Sequence, residues 1–180
     1  MKLFLILILT LSAYLSSQDY LDYPHPYHST ETTKGMVVSQ NYLSSDIGAE
    51  ILSKGGNAVD AAIAVGFSLT ATLPRAGNIG GGGFMLVYDK KTESIISFDF
   101  RSMSPKLATP DVYKVNGVHQ YELSEEGYKA IAVPGTVAGL IEAHEMFGTM
   151  DLADLVNPTI ELLKEGVPVT DDLYLSLIHI

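Results

Sequence analysis

Residues 75–101 read RAGNIGGGGFMLVYDKKTESIISFDFR, and this stretch decides how the chain is built. Four consecutive glycines, Gly80–Gly83, lead directly into the apolar run Phe84–Tyr88. Glycine adopts positive φ without penalty and lets a backbone or a ligand approach closely, but each glycine costs conformational entropy on folding. Four glycines in a row therefore predict a place where the chain needs steric room.

The residues after the glycines predict a β-hairpin. Two apolar, β-branched and aromatic runs, Phe84–Tyr88 and Ser94–Phe100, are separated by the polar residues 89–93. This pattern is typical of two antiparallel strands with a short loop. A turn centred near Lys91 would set Arg101 opposite about Gly81. The second strand would then bring a guanidinium to the mouth of the glycine loop.

Arg101 is therefore a candidate substrate-binding residue. Its planar fork suits a carboxylate or a phosphate, and a loop without side chains leaves room for a small ligand. The loop residues predicted to lie beside this site are Gly80, Gly81, Gly82 and Gly83. The alternative, left open by the pattern alone, is that the glycines form a tight strand entry and that Arg101 is a surface or ion-paired residue.

Helical patterns flank the hairpin on both sides. Leu43, Ile47 and Ile51 recur every four residues and predict an amphipathic helix that ends at Gly55 and Gly56. Asn57 and Asp60 then form a predicted capping box for a helix over residues 58–71 that is apolar on nearly every face and so is expected to be buried. Further elements are predicted as short strands at 36–39 and 130–133, and as helices at 137–147, 151–156, 157–165 and from Thr170 onward.

Composition excludes several function classes. The 21 acidic residues outnumber the 11 basic ones, and the basic residues are scattered, so nucleic acid is not an expected partner. The chain has no cysteine, which removes disulfides, thiol catalysis and zinc–thiolate sites. The glycine run does not match a nucleotide-binding loop, because the order is helix, loop, strand, and Phe84 stands where a lysine would be needed. Neither a metal nor an organic cofactor is indicated.

The N-terminus predicts export. One lysine and a short apolar core are followed by Ser16 and Ser17, which favours a secretory signal peptide over residues 1–17 and a periplasmic or extracellular protein. An uncleaved membrane anchor is the alternative. Residues 18–33 predict a loose lead-in, and residues 34–180 form the predicted domain. The last residues, 176–180, complete no element, so we expect the chain to be truncated there.

The chain resembles the N-terminal part of the large subunit of a gamma-glutamyltransferase, also called gamma-glutamyltranspeptidase or glutathione hydrolase. The resemblance runs in order from about Lys34 to Leu175. It rests on these blocks: 35–39 (GMVVS), 51–52 with 55–62 (IL and GGNAVDAA), 76–84 (AGNIGGGGF), 99–101 (DFR) and 133–140 (VPGTVAGL).

The resemblance implies an α+β fold, a four-layer αββα sandwich of the N-terminal nucleophile hydrolase type, of which this chain holds an incomplete part. It implies a precursor that cuts itself before a threonine far downstream. The new N-terminal threonine of the small subunit then attacks a gamma-glutamyl amide such as glutathione, with its own amine as the base, and the acyl group passes to water, an amino acid or a peptide. It also implies that Arg101 holds the α-carboxylate of the glutamyl group.

One motif departs from the family pattern. The family usually has Arg-Glu-x-Ala-Pro, whereas this chain has Arg101-Ser102-Met103-Ser104-Pro105, which leaves the gamma-glutamyl substrate open. Acylases that act on cephalosporin side chains and enzymes that cleave poly-gamma-glutamate share the scaffold. A non-catalytic domain that binds amino acids or gamma-glutamyl peptides is a further alternative. No catalytic residue is placed on these 180 residues, so the chain by itself is expected to be inactive.

Overall fold

The apolar segment after Asn57 forms the central helix of the domain. The computed structural model describes residues 30–178, in which helix α1 spans Tyr42–Ser53 and helix α2 spans Ala58–Thr72. The predicted capping box is confirmed: Asn57 Oδ1 accepts the N–H groups of Val59 and Asp60 at 2.7 and 2.9 Å, and Asp60 Oδ2 accepts the Asn57 N–H at 2.9 Å. These bonds satisfy donors that a helix start otherwise leaves free.

The predicted hairpin is confirmed. Strand β1, Phe84–Asp89, pairs antiparallel with β2, Ser94–Asp99, in the register Phe84 to Asp99 and Asp89 to Ser94. Side chains alternate between the two faces. Met85, Val87, Ile96 and Phe98 point into the core. The opposite face exposes the following apolar side chains: Phe84, Leu86, Tyr88 and Ile95.

Asp89 closes the turn of this hairpin. Its carboxylate accepts the Lys91 N–H and the Thr92 hydroxyl, both at 2.9 Å. The hydrogen bond from the Lys91 backbone, followed by that from Thr92, lowers the pKa of Asp89 below its ordinary value, because both stabilise the ionised form. Glu93 completes the turn at φ +52°, in the left-handed region. Asp89 at the start of the loop and Glu93 at its end therefore fix the loop conformation, and the loop fixes the register of β1 and β2.

The rest of residues 30–178 contributes four helices and a small second hairpin. The two-residue strands β3 and β4 pair antiparallel, a short 3₁₀ turn covers Tyr128–Ala130, and helix α4 starts at Thr136, directly after the Pro134–Gly135 turn. The bounds are β3 Lys114–Val115, β4 Val118–His119, α3 Glu122–Glu125, α4 Thr136–Phe147, α5 Leu152–Glu165 and α6 Asp171–Leu177.

Four predicted elements differ in the structure. The helices predicted at 151–156 and 157–165 form one continuous helix, α5, with Pro158 inside it. Leu155 and Thr159, on either side of Pro158, are both buried, and α5 packs along α2, so tertiary packing offsets the hydrogen bond that proline removes. The predicted strands at 36–39 and 130–133 are not regular strands. In the second, only Val133 pairs, in a single bridge with Met103.

The core lies between α2 and its neighbours. Helices α1, α4 and α5 pack against α2, and Ile63, Ala64, Ala143 and Leu155 are fully buried there. Gly48 of α1 lies against α2 so closely that an added Cβ would come within 2.6 Å of Val65 Cγ2. The inner face of the hairpin completes this core, with the rings of Phe98 and Phe147 edge to face at 6.2 Å.

The predicted signal peptide and residues 18–29 of the predicted lead-in lie outside the described residues. Within residues 30–178, no helix combines the length and apolar character that a membrane span requires. The same part of the chain has no cluster of three or more histidine, aspartate or glutamate side chains placed to hold a metal ion.

Candidate functional site around Arg101

The hairpin places Arg101 beside the glycine run. Beyond the two strands, Phe100 N–H donates to the Gly83 carbonyl at 3.1 Å and Gly83 N–H donates to the Phe100 carbonyl at 3.3 Å. The register therefore continues so that Arg101 faces Gly82, one residue from the predicted Gly81. The offset arises because the turn is centred between Lys91 and Thr92 rather than on Lys91.

The glycine run makes room for the chain itself. None of the four glycines has a positive φ. A Cβ on Gly82 would lie 2.3 Å from the Ser102 nitrogen and 2.5 Å from the Phe100 carbonyl oxygen, and a Cβ on Gly83 would lie 2.8 Å from the Phe100 ring. On Gly80 and Gly81 the nearest atom would be 3.3 and 3.4 Å away. The steric need lies at Gly82, where the backbone around Arg101 passes, and at Gly83, where the Phe100 ring lies.

A second segment, at Gly135 and Thr136, packs against the same glycine loop. This segment was not assigned to the site from the sequence. The N–H groups of Gly135 and Thr136 donate to the Gly81 carbonyl at 2.8 and 3.2 Å, and the Thr136 hydroxyl donates to the Asn78 carbonyl at 3.2 Å. Gly135 and Gly139 are four residues apart around the start of α4, a spacing that puts two side-chain-free positions on one face. That spacing was the signal for a close contact.

The guanidinium of Arg101 is exposed and has few protein partners. Nη1 donates to the Ser102 hydroxyl at 3.1 Å, and the Arg101 backbone N–H donates to Asp99 Oδ1 at 3.0 Å. In the described part of the chain, no carboxylate forms an ion pair with Arg101. Arg75, by contrast, binds Asp172 through Nε and Nη2. The remaining donors of Arg101 are thus available to an anion.

A cleft extends away from Arg101. Its volume is about 800 Å³, and its walls are the loop from Arg101 to Tyr113 and the segment 128–132. Two hydrogen bonds join the walls: Lys129 Nζ donates to the Val112 carbonyl at 3.1 Å, and the Tyr113 hydroxyl donates to the Lys129 carbonyl at 3.2 Å. A ligand held by Arg101 has space to extend in this direction.

The hydroxyl groups near Arg101 make no hydrogen bond to a general base within residues 30–178. Ser102 accepts from Arg101, and Thr136 donates to a backbone carbonyl. His144 is engaged elsewhere, with Nε2 at 2.8 Å from the Met150 carbonyl oxygen. An activated nucleophile requires a base within hydrogen-bond reach. The arrangement is suited to binding an anion.

Comparison with known proteins assigns the chain to a family. Residues 44–178 match the family model described as Gamma-glutamyltranspeptidase. The chain belongs to the gamma-glutamyltranspeptidase family. Among its relatives, the glutathione hydrolase proenzyme of Bacillus subtilis (strain 168) is 44% identical over 137 residues, which cover 75% of this chain and 23% of the relative. The chain therefore spans about a quarter of the length of the curated relatives it matches.

Solved structures similar to this chain share its fold. The gamma-glutamyltranspeptidase of Helicobacter pylori superposes with a TM-score of 0.80 at 38% identity, over 84% of this chain and 44% of that one. A cephalosporin acylase from Bacillus halodurans superposes with a TM-score of 0.72 at 32% identity, over 87% of this chain and 29% of that one. These are N-terminal nucleophile hydrolases, so the predicted α+β fold class is confirmed, with this chain as a part of the fold.

Proposed function

We propose that this chain is the first portion of an exported gamma-glutamyltransferase precursor. The full-length protein would cleave gamma-glutamyl amides such as glutathione and transfer the glutamyl group to water, an amino acid or a peptide. Family membership and the names of the relatives, which are glutathione hydrolase proenzymes, support the reaction class. The apolar N-terminus supports export to the periplasm or the extracellular space.

The observation that carries the proposal is the guanidinium of Arg101 at the glycine loop, which bonds the Ser102 hydroxyl and forms no ion pair within residues 30–178. A gamma-glutamyl group has an α-carboxylate at the end opposite its reacting amide. Arg101 would hold this carboxylate with its planar fork, while the amide and its leaving group extend into the adjoining space. Arg101 would thereby orient the substrate, and its role is binding.

The chemistry requires groups outside these 180 residues. The nucleophile would be an N-terminal threonine of a small subunit cut from the same precursor. Its hydroxyl oxygen forms a bond to the γ-carbonyl carbon, its amine accepts the hydroxyl proton, and the C–N bond breaks as the leaving amine is protonated. Water or an acceptor amine then releases the glutamyl group. The described domain alone would be inactive, and its partners would be the small subunit and a gamma-glutamyl compound.

The similarity to the Bacillus halodurans cephalosporin acylase favours one alternative, a related acylase on the same scaffold. The two functions differ in what the amide carries. A gamma-glutamyl substrate presents an α-carboxylate and an α-ammonium, whereas an acylase substrate need not. Comparing hydrolysis of a gamma-glutamyl anilide with that of the matching glutaryl anilide discriminates between them. A non-catalytic binding domain is the second alternative, and full-length protein that neither cuts itself nor turns over any anilide would favour it.

Arg101→Ala in the full-length protein tests the proposal. We expect KM for a gamma-glutamyl anilide to rise by roughly 10- to 1000-fold, as for loss of a charge-assisted pair. Arg101→Lys keeps the charge and loses the planar fork, so its KM should lie between those of the wild type and Arg101→Ala. Arg75→Ala is the matched control, because it removes the same charge from an arginine paired with Asp172. Unchanged kinetics in Arg101→Ala would refute the carboxylate role.

A further inference from the structure

Phe100, the residue before Arg101, is enclosed by glycines from two separate segments. A Cβ on Gly139 would come within 2.1 Å of the Phe100 Cγ, and one on Gly83 within 2.8 Å of its Cε2. A Cβ on Gly135 would come within 2.2 Å of the Phe100 carbonyl oxygen, and one on Gly82 within 2.5 Å of the same atom. We call this enclosure, formed by Gly82, Gly83, Gly135 and Gly139, the Phe100 seat.

The seat is tied together by backbone hydrogen bonds. Gly83 and Phe100 exchange two N–H···O bonds, and the N–H groups of Gly135 and Thr136 both reach the Gly81 carbonyl. On the far side of Arg101, Met103 and Val133 exchange two more, at 2.8 and 3.1 Å. The chain is therefore held immediately before Arg101 and again two residues after it, while the guanidinium itself stays exposed.

In this arrangement the backbone at Phe100 is held in place by packing, whereas the neighbouring Arg101 side chain is left to bind a ligand. Ring packing and backbone bonds hold the main chain at residue 100, and the Arg101 side chain keeps its donors for a ligand. Binding groups need to be held to within a fraction of an ångström by packing around them, and a displacement of about 1 Å can cost about 100-fold in rate. The Phe100 ring has no polar atom, so it can affect the binding of an anion only by changing the position of Arg101.

We propose that Phe100 in its glycine seat is a positioning residue, which sets where the Arg101 guanidinium meets the α-carboxylate of a gamma-glutamyl substrate. This inference rests on the proposed function. It assigns a role to the 133–139 segment, whose glycines and turn bring α4 against the ring. It also explains why Gly82, Gly83, Gly135 and Gly139 exclude side chains although none of them has a positive φ.

The test uses Phe100→Leu and Gly139→Ala in the full-length protein. Phe100→Leu removes the ring from the seat, and Gly139→Ala pushes the ring out of it. Matched controls are Phe67→Leu, which shortens a ring packed against the same core, and Gly48→Ala, which places a Cβ 2.6 Å from Val65 Cγ2. All four variants should lower the melting temperature, so stability alone does not identify a positioning role.

The deciding measurement is how strongly each variant prefers an inhibitor that has an α-carboxylate over one that lacks it. Inhibition constants are measured for L-glutamate and for 4-aminobutanoate, which lacks the α-carboxylate. In Phe100→Leu and Gly139→Ala we expect the constant for L-glutamate to rise at least about 10-fold while that for 4-aminobutanoate stays within about 2-fold. In the two controls both constants should stay within about 2-fold.

Two outcomes overturn the inference. One is an unchanged constant for L-glutamate in Phe100→Leu, and the other is an equal rise for both inhibitors. If Gly139→Ala does not fold, Phe100→Leu decides by itself. Arg101→Ala, measured alongside, separates the two proposals. If Arg101→Ala loses glutamate binding and Phe100→Leu does not, only the seat fails, whereas normal glutamate binding in Arg101→Ala refutes the carboxylate role of Arg101 on which this inference rests.

Discussion

The carboxylate of Asp60 accepts the backbone N–H of Thr149 at 2.9 Å, although the two residues are 89 positions apart. Asp60 is fully buried in the first turn of α2 and also accepts the Thr149 hydroxyl and the Asn57 N–H. In return, Asn57 Nδ2 donates to the Phe147 carbonyl at 2.6 Å. One capping box thus joins the start of α2 to the turn between α4 and α5.

Stability should depend on pH through Asp60. Burial raises the pKa of this carboxyl, but the hydrogen bonds from Thr149, Asn57 and Met150 together outweigh burial and lower the pKa below its ordinary 3.8. Because the folded pKa is the lower one, the contribution to stability is complete above that ordinary value and is lost as pH falls through the folded pKa. Neutral and mildly acidic solutions should therefore show no change from this group.

Asp60→Asn should destabilise the protein by about 2–3 kcal/mol at pH 7, because the amide nitrogen would face donors that need an acceptor. The measurement is urea unfolding of the wild type and the variant between pH 7 and pH 3. The difference between them should stay constant down to about pH 5 and shrink below about pH 4. A difference that does not vary with pH would show that the carboxylate charge contributes nothing.

Thr159→Val should stabilise the protein. Thr159 is buried in α5 at 4% exposure, and within the described chain its hydroxyl has no hydrogen-bond partner. Removing an unpaired buried hydroxyl at constant volume is expected to raise the free energy of unfolding by about 1 kcal/mol. The control is Thr72→Val, whose buried hydroxyl bonds Ser44 and the Ser68 carbonyl. This control should lower the stability, and equal effects from both substitutions would contradict the reasoning.

Glu93→Gly should also stabilise the protein. Glu93 lies at φ +52° in the hairpin loop, a conformation that costs a side-chain-bearing residue about 1 kcal/mol and glycine almost nothing. After the greater entropy of glycine in the unfolded chain is subtracted, we expect a gain of about 0.5 kcal/mol, read from the urea midpoint. Lys91→Gly, in the same loop but without a positive φ, should lower the midpoint. A lower midpoint for Glu93→Gly would refute the strain.

The parts predicted correctly from the sequence are those that local rules determine. The α1 and α2 helices, the capping box and the first hairpin follow from periodicity, side-chain caps and strand alternation, all of which act between residues close together in the sequence. The second hairpin was missed although its signal was present. Asn116-Gly117 between Val115 and Val118 is a strong two-residue turn sequence, and both turn residues have positive φ.

The wrong helix boundary and the unpredicted contacts around Arg101 trace to long-range packing. Pro158 predicts a helix boundary, but α5 continues through it because Leu155 and Thr159 are buried on both sides. The position of Arg101 was predicted to within one residue, since strand register is a local property. What occupies the space at Gly82 was not predictable, because Phe100 and Ser102 reach it only once the hairpin has folded. The contribution of Gly135 and Gly139 required knowledge of where α4 packs.

Ser102→Ala should weaken the binding of a glutamyl carboxylate slightly. The Ser102 hydroxyl is the one side chain in the described residues that hydrogen-bonds the Arg101 guanidinium, at 3.1 Å. The hydroxyl is uncharged and the bond is exposed to solvent, so its loss is expected to weaken ligand binding by about 1 kcal/mol. This corresponds to a rise of about 5-fold in the inhibition constant of L-glutamate, with kcat unchanged.

Ser53→Ala is the matched control for this change, because its exposed hydroxyl bonds the Glu50 carbonyl of its own helix. In this control the inhibition constant of L-glutamate should not change. If Ser102→Ala tightens glutamate binding instead, the hydroxyl competes with the ligand for the guanidinium. The Arg101 fork would then be oriented by its backbone alone, through the Asp99 carboxylate and the strand register.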